Sequence, residues 1–436
     1  MKYDAIVIGS GAAGYYFAIA GEKKGKKIAI IEKDKLGGTA FATGCLPVKK
    51  YLESIKNYKR IKADADLIDL ELNITNEKLF LIGKEKVNNI ENHLIQKLSK
   101  TSIDIINGEG IIIDNNKVEV EGEIYTGDKI IIATGTRPTQ IGDWPEIDEK
   151  MIFSHKGLIE LESIPKELVI LGGNVEGIEF ASLFSELGTK ITIIEQENCI
   201  LQGNDRDLVE PIKNQLIKNN VKFLLGKKLN TIIKSDDSLI LDLSEDIKLK
   251  TDALLITGIR KSNIPKTEKI DLTIDNSYIK VDSNLMTSEE NIYAIGDING
   301  LHGMAHIAIQ QGIFLADYLW ENKSITYKYD SLPRCIFTIN ELAGAGWQED
   351  GNENIEVVKV SLKETIRGTN LNSNSFLKLI VKDNIVKGAW INDLNAGEIM
   401  GQIGLWIDKE LTIDEFKKAL WIHPTITEVF LEGVLY

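Results

Sequence analysis

The sequence predicts an α/β protein: two dinucleotide-binding (Rossmann-like) folds, closed by an α+β tail. Three observations predict it. A glycine-rich fingerprint stands between a strand and a helix twice in the chain. Each copy ends its second strand on a glutamate, Glu32 in one and Glu195 in the other. After Pro333 the alternation of strands and helices gives way to a block of strands and then a block of helices.

The first unit opens with a strand, Tyr3 to Ile8. It runs into Gly9-Ser-Gly11-Ala-Ala-Gly14 and a helix to about Lys24, and a second strand from Lys27 ends at Glu32. The fingerprint therefore lies in the context that dinucleotide binding needs. The first glycine makes the tight turn, the second lets backbone approach a pyrophosphate, and the third lets helix pack on strand. The helix start offers amides and the positive end of its dipole to phosphate. Glu32 stands where a carboxylate can accept hydrogen bonds from a ribose.

The unit then repeats. Glu167 to Leu171 reads as a strand, Gly172-Gly-Asn174-Val-Glu176-Gly177 as the loop, and a helix follows to about Leu187. The next strand, from Lys190, ends at Glu195, 18 residues after Gly177, as Glu32 lies 18 residues after Gly14. A second echo is the pair of buried strands that end in Thr134-Gly135 and Thr257-Gly258. Between the two units, 51–100 carries helical periodicity and 103–126 reads as short strands with turns. Residues 263–290 are polar and irregular. A strand ends at Ile295-Gly296-Asp297, and a helix follows from about Met304 to Trp320. In the tail, strands are expected at 334–338, 355–361, 376–382 and 386–392, and helices at 395–408, 412–420 and 425–433.

Composition narrows the function classes. The 436 residues are 43% hydrophobic and 27% charged, which is a soluble globular balance. That length makes two to four domains at roughly 100–200 residues each. A net charge of −14 disfavours nucleic acid and anionic membrane as partners. No apolar run approaches the ~18–20 residues of a membrane span. Three cysteines, Cys45, Cys199 and Cys335, rule out a disulfide scaffold and fit a reducing cytoplasm. They form no metal-ligand spacing with the five histidines.

The stretch Gly37-Gly-Thr39-Ala40-Phe-Ala-Thr-Gly44-Cys45-Leu-Pro47-Val-Lys49 resembles the redox segment of the pyridine nucleotide-disulfide oxidoreductases, with dihydrolipoamide dehydrogenase as the nearest pattern. The resemblance continues through Ala133-Thr-Gly135-Thr-Arg-Pro138, Ala294-Ile-Gly-Asp297, Met304-Ala-His306, Phe337-Thr338 and His423-Pro-Thr425-Ile-Thr-Glu428, and covers essentially the whole chain. It implies an FAD-binding domain from 1–140 and 263–325, an NAD-binding-like domain at 141–262 and a dimerisation domain at 326–436. By the same resemblance, Gly9, Gly11 and Gly14 meet the FAD pyrophosphate, Glu32 its ribose and Thr39 its phosphate. Gly135 lies in the cofactor pocket, and Asp297 holds the ribityl chain. Lys49 lies beside the flavin and pairs with Glu179. Gly172, Gly177 and Glu195 belong to the nicotinamide site, and Glu195 is the strand end expected for NAD rather than NADP. His423 and Glu428 form an acid–base dyad that acts from the other subunit of a homodimer.

The pattern breaks in two places. The family's redox segment has two cysteines with four residues between them. Here the first is Ala40 and only Cys45 remains. In the second fold the middle glycine is Asn174, and Glu176 brings a carboxylate to where a diphosphate belongs, which makes NAD(H) binding doubtful. Four readings compete. The preferred one is an FAD-dependent, single-cysteine oxidoreductase acting on a small or protein-bound thiol or disulfide, with Cys45 as the reactive thiol. The second is a flavin electron carrier whose partner is ferredoxin, another flavoprotein or a quinone. The third is a non-catalytic, FAD-stabilised subunit of a larger complex. The fourth, ordinary dihydrolipoamide dehydrogenase activity, is opposed by the missing thiol.

Overall fold

The computed structural model describes residues 2–72, 74–324, 331–349, 351–369 and 374–435. The opening βαβ unit is β1 (Lys2–Ile8), α1 (Ala12–Glu22) and β2 (Ile28–Glu32), and two long helices follow, α2 (Cys45–Leu67) and α3 (Asn76–Leu98). Next come β3 (Asp104–Asn107), β4 (Ile111–Asp114), β5 (Lys117–Val120), β6 (Glu123–Ile132), β7 (Thr136–Pro138), β8 (Ile152–Phe153) and α4 (His155–Glu160). The second βαβ unit is β9 (Glu167–Leu171), α5 (Val175–Glu186) and β10 (Lys190–Glu195). It continues with α6 (Arg206–Lys218), β11 (Lys222–Leu225), β12 (Leu229–Lys234), β13 (Leu239–Leu243), β14 (Lys248–Thr251) and β15 (Leu254–Ile256). The chain returns through β16 (Arg260–Ser262), β17 (Ile274–Asp275), β18 (Tyr278–Ile279), β19 (Ile292–Ala294) and α7 (Ala305–Glu321). The tail strands are β20 (Arg334–Ile336), β21 (Glu341–Gly346), β22 (Glu356–Ser361), β23 (Phe376–Lys382) and β24 (Ile385–Asp393). Four short helices end it: α8 (Ala396–Ile399), α9 (Ile403–Asp408), α10 (Ile413–Lys418) and α11 (Val429–Leu435).

The chain divides into two compact units, one of residues 1–54, 78–162 and 258–326, the other of 55–77, 163–257 and 327–436. In the first, the sheet order is β3-β2-β1-β6-β5-β4, with β19 also paired to β6. The strands β3, β2, β1, β6 and β19 run parallel, and β4 and β5 add an antiparallel edge. The runs Ala5–Ile8, Ile28–Ile31 and Ile130–Ile132 are buried throughout, as strands covered on both faces must be. The helices α1 and α7 pack closely because Gly312 has no side chain. A Cβ there would strike the Ala13 carbonyl and come within 2.9 Å of the Phe17 amide.

In the second unit β11, β10, β9 and β15 form a parallel sheet in that order, and β12, β13 and β14 form a separate antiparallel sheet. The tail sheet is antiparallel, in the order β20-β21-β24-β23-β22. Its core is built on Leu377, Leu379, Ala389, Ile391, Phe416 and Phe430. Lys378, 1% exposed on β23, ties this sheet to the start of α6: its ammonium meets Asp205 at 2.9 Å and Asp207 at 3.0 Å, and Glu349 at 2.7 Å. Three charges of opposite sign make such a buried cation tolerable.

The helical stretch at 51–100 resolves into α2 and α3, and 263–290 holds only the two-residue strands β17 and β18. The helix expected over 395–408 is broken into α8 and α9 around Gly401. The strand β21 was not foreseen, because Glu-Leu-Ala-Gly-Ala-Gly lacks the β-branched residues that signal one. Its small residues make room for Trp390, whose ring carbons would lie 2.6 Å from a Cβ at Gly344. The tail domain boundary at 325–326 lies outside the described residues. Among the described residues, no helix is long and apolar enough to cross a membrane, and no cluster of His, Cys, Asp and Glu could hold a metal ion.

Candidate active site

The first glycine loop is shaped for two different demands. Gly9 has φ +103°, and a Cβ there would lie 2.5 Å from the Ala133 carbonyl oxygen. Gly14 packs on the Gly9 carbonyl in the same way. Gly11 is the opposite case: nothing lies within 4 Å of its would-be Cβ, and no side chain caps α1 there. Gly9 and Gly14 serve the fold, whereas Gly11 leaves open space at the amino end of a helix.

Glu32 locks the loop. One oxygen accepts from the Ser10 amide (2.8 Å) and hydroxyl (2.6 Å), and the other accepts from the amides of Lys33 and Asp34 (2.9 Å each). The Ser10 hydroxyl in turn accepts from the Gly37 amide at 3.0 Å. A ribose can reach Glu32 only by displacing the Ser10 hydroxyl, the one donor in this set free to rotate.

Gly37 (φ +103°) and Gly38 (φ +55°) turn the chain into the redox segment. A Cβ at Gly38 would lie 3.0 Å from the Gly11 Cα, so this segment and the glycine loop touch backbone to backbone. Thr39–Thr43 forms a single π-type turn, with Ala40 inside it, and α2 begins at Cys45. Gly44 packs on Thr39, with a would-be Cβ 2.9 Å from the Thr39 carbonyl oxygen. Cys45 is exposed, at the amino end of α2. Cys199 follows β10 and Cys335 sits on β20 against the tail core, and among the described residues no disulfide joins any of the three cysteines. Beside the segment, Tyr15, Tyr16, Phe41, Leu46, His93 and Lys97 help line a cavity of about 150 Å³.

Asp297 lies in the turn Gly296–Asn299 that follows β19. Burial raises its pKa, and the Arg260 guanidinium partly offsets this. Arg260 also clamps Thr136, with Nε 2.7 Å from the hydroxyl and a terminal nitrogen 3.0 Å from the carbonyl. Asn263 donates to the Thr134 carbonyl at 2.9 Å. The Gln311 amide oxygen accepts from the Gly296 amide (2.7 Å) and from Asn299 (3.0 Å). Sequence reading missed Arg260 and Asn263, because their partners come from distant segments, and Gln311, because no motif marks it. Gly135 has φ +62° and open space at its Cβ. Among the described residues, two buried polar atoms of this unit find no hydrogen-bond partner: the Thr134 hydroxyl and the Gln311 side-chain nitrogen. An open cradle at Gly11, orphaned polar atoms and a half-buried carboxylate together fit a large polar ligand such as FAD.

The second loop repeats the geometry with one change. Gly177 packs on the Gly172 carbonyl as Gly14 packs on Gly9. Glu195 accepts from the Gly173 amide at 2.6 Å and the Glu197 amide at 2.9 Å. Asn174, however, occupies the place of Gly11. Its carboxamide oxygen accepts from the Gly177 amide at 3.0 Å and its nitrogen donates to the Thr257 hydroxyl at 3.0 Å. These residues do not fit a diphosphate in the way that the first loop does.

Lys49 lies on α2 in the first unit, and Glu179 lies buried on α5 in the second, where it accepts from the Phe337 amide at 3.0 Å. His423 and Glu428 are brought together as expected, Nδ1 to Oε1 at 2.8 Å. The other Glu428 oxygen accepts from the Thr425 amide at 2.9 Å. The His423 contact, and then that amide, hold the Glu428 carboxyl below its ordinary range. With Nδ1 engaged, the exposed ring offers Nε2 to a reactant.

Comparison with known proteins agrees with this geometry. Residues 3–312 match the family described as pyridine nucleotide-disulphide oxidoreductase, and residues 332–434 match its dimerisation domain. The chain is 30% identical to a dihydrolipoyl dehydrogenase of Chlamydia pneumoniae, over 100% of this chain and 96% of the relative. It is 29% identical to a dihydrolipoyl dehydrogenase of Geobacillus stearothermophilus, over 99% and 96%. Among solved structures it resembles the Cu(II) complex of the HOCl-induced flavoprotein disulfide reductase RclA of Escherichia coli, at TM-score 0.88 and 26% identity, covering 100% of this chain and 99% of the other. The chain therefore belongs to the pyridine nucleotide-disulfide oxidoreductase family, as an FAD-dependent oxidoreductase of the dihydrolipoamide dehydrogenase-like kind.

Proposed function

We propose that this protein is a homodimeric reductase that handles a thiol or disulfide substrate with one cysteine, in a reducing cytoplasm. On this reading residues 1–140 and 263–325 hold FAD, 141–262 form the nicotinamide-type domain and 326–436 join two copies of the chain. The observation that carries the reading is the exposed Cys45 thiol at the amino end of α2, with alanine at position 40 in the turn that leads to it. The positive end of the helix dipole stabilises an anion at that place.

Bound FAD would supply the electron pair. Gly9, Gly11, Gly14 and Thr39 would hold its phosphates, Glu32 its ribose, Asp297 the ribityl hydroxyls and Gly135 a close backbone passage. Lys49, paired with Glu179, would sit at the flavin edge. The Cys45 thiolate attacks one sulfur of a substrate R–S–S–R. A Cys45–S–S–R bond forms, the substrate S–S bond breaks, and R–S⁻ leaves. His423 of the partner subunit, oriented by Glu428, gives that thiolate its proton. The mixed disulfide then takes two electrons and one proton, which releases R–SH and restores the Cys45 thiolate.

The test is anaerobic. Holoenzyme reduced with one equivalent of dithionite is mixed with hydroxyethyl disulfide, and the return of flavin absorbance is followed. Cys45→Ser is expected to slow that return by roughly 100-fold or more, because an alcohol replaces the nucleophilic thiolate. Equal rates in wild type and variant would remove Cys45 from the mechanism and favour the electron-carrier reading.

A further inference from the structure

The two βαβ units provide an internal control. In the first, Gly11 leaves the helix end open and the Thr134 hydroxyl is buried with no partner among the described residues. In the second, the same two positions are Asn174 and Thr257, and they are bonded to each other. The Thr257 hydroxyl passes its own hydrogen to the Leu171 carbonyl at 2.7 Å. The Asn174 oxygen takes the Gly177 amide, one of the donors that a phosphate would use. Space is closed as well: a Cβ built at Gly172 would lie 2.8 Å from the Asn174 nitrogen. Glu176 adds a carboxylate to the first turn of α5, where the fingerprint would place an anion's negative charge.

We infer that Asn174 is a built-in plug: its carboxamide stands in for phosphate at the head of α5 and excludes the diphosphate of a pyridine nucleotide. The plug acts on the diphosphate alone. Among the described residues, Glu195 accepts one hydrogen bond on each oxygen, which leaves a lone pair on each for the adenosine-ribose end of the site. The inference does not depend on the role given to Cys45, and it holds equally if that role fails.

The probe is ADP-ribose, which carries the diphosphate and cannot reduce flavin. Its binding to oxidised, FAD-loaded protein is measured by calorimetry, with adenosine as the control lacking phosphate. Asn174→Gly is expected to tighten ADP-ribose by about tenfold or more, which is about 1.4 kcal/mol, and to leave adenosine unchanged. Glycine is itself an acceptable helix cap, so this variant keeps its fold, and an unaltered flavin spectrum checks that. Asn174→Asp, which keeps the cap and adds charge, is expected to bind ADP-ribose more weakly than wild type. Three results overturn the inference: unchanged ADP-ribose affinity in Asn174→Gly, an equal gain for adenosine, or a gain seen only with Glu176→Ala, which would place the block on charge.

Discussion

At the scale of single residues, Asp297 shows how the proposed FAD site would be kept at the expense of the empty protein. Its carboxyl is half-buried and its pKa raised by that desolvation, against the pull of Arg260. An acid whose folded pKa lies above its unfolded value binds more protons when folded, so stability falls as pH rises through the interval between the two values. Removing the charge removes that slope. The FAD-free Asp297→Asn protein is expected to melt above FAD-free wild type at pH 7, with the gap narrowing as pH falls through the raised folded pKa. The same variant is expected to hold FAD about tenfold or more less tightly, since a charge-assisted hydrogen bond is lost. Thermal melts of the apoproteins and flavin titration check the two halves separately. Asp297 was legible in the sequence as part of a motif. Arg260, which partly offsets that desolvation, was not, because the clamp on Thr136 spans 124 residues. Asn174 was legible as a departure from the fingerprint, but its bond to Thr257, 83 residues away, belongs to the fold alone.

At the scale of elements, the glycines of the first unit divide between open space and packing, and those of packing set the spacing of helices. Gly312 on α7 lies directly against the backbone of α1 at Ala13 and Phe17. Backbone cannot yield as a flexible side chain can. Gly312→Ala is therefore expected to destabilise the protein by about 1–3 kcal/mol, the usual effect of overpacking. Part of that loss should appear as weaker flavin retention, because α1 carries the glycine loop at its amino end; denaturant titration with flavin release as a second signal measures both. The strands and helices of both βαβ units were readable from sequence because their signal is local: apolar runs, a glycine turn, an acidic strand end. The strand β21 was not, since its stability comes from Trp390 covering a chain of small residues. The antiparallel sheet β12–β14 carried no motif that pointed to it.

At the scale of the whole molecule, the tail presents apolar side chains to solvent just ahead of the dyad. Leu420 is 100% exposed and Ile422 is 75% exposed, immediately before His423. A monomer gains nothing from such side chains, whereas a second copy of the chain would cover them. The double variant Leu420→Glu and Ile422→Glu is expected to elute as a monomer on size exclusion. It should keep its flavin spectrum and lose disulfide turnover, because His423 reaches a flavin only across the subunit boundary in the proposed arrangement. A dimer that persists in this variant would place the contact elsewhere on the tail.

One feature of the redox segment reaches further than its own chemistry. Gly38 and Gly11 approach backbone to backbone, with no side chain between them to bend or turn aside. Such a contact resists compression, because backbone cannot yield as a flexible side chain can. Whatever pushes the glycine loop toward Gly38 meets the backbone of the turn that leads to Cys45, so the proposed phosphate site and the thiol are mechanically neighbours.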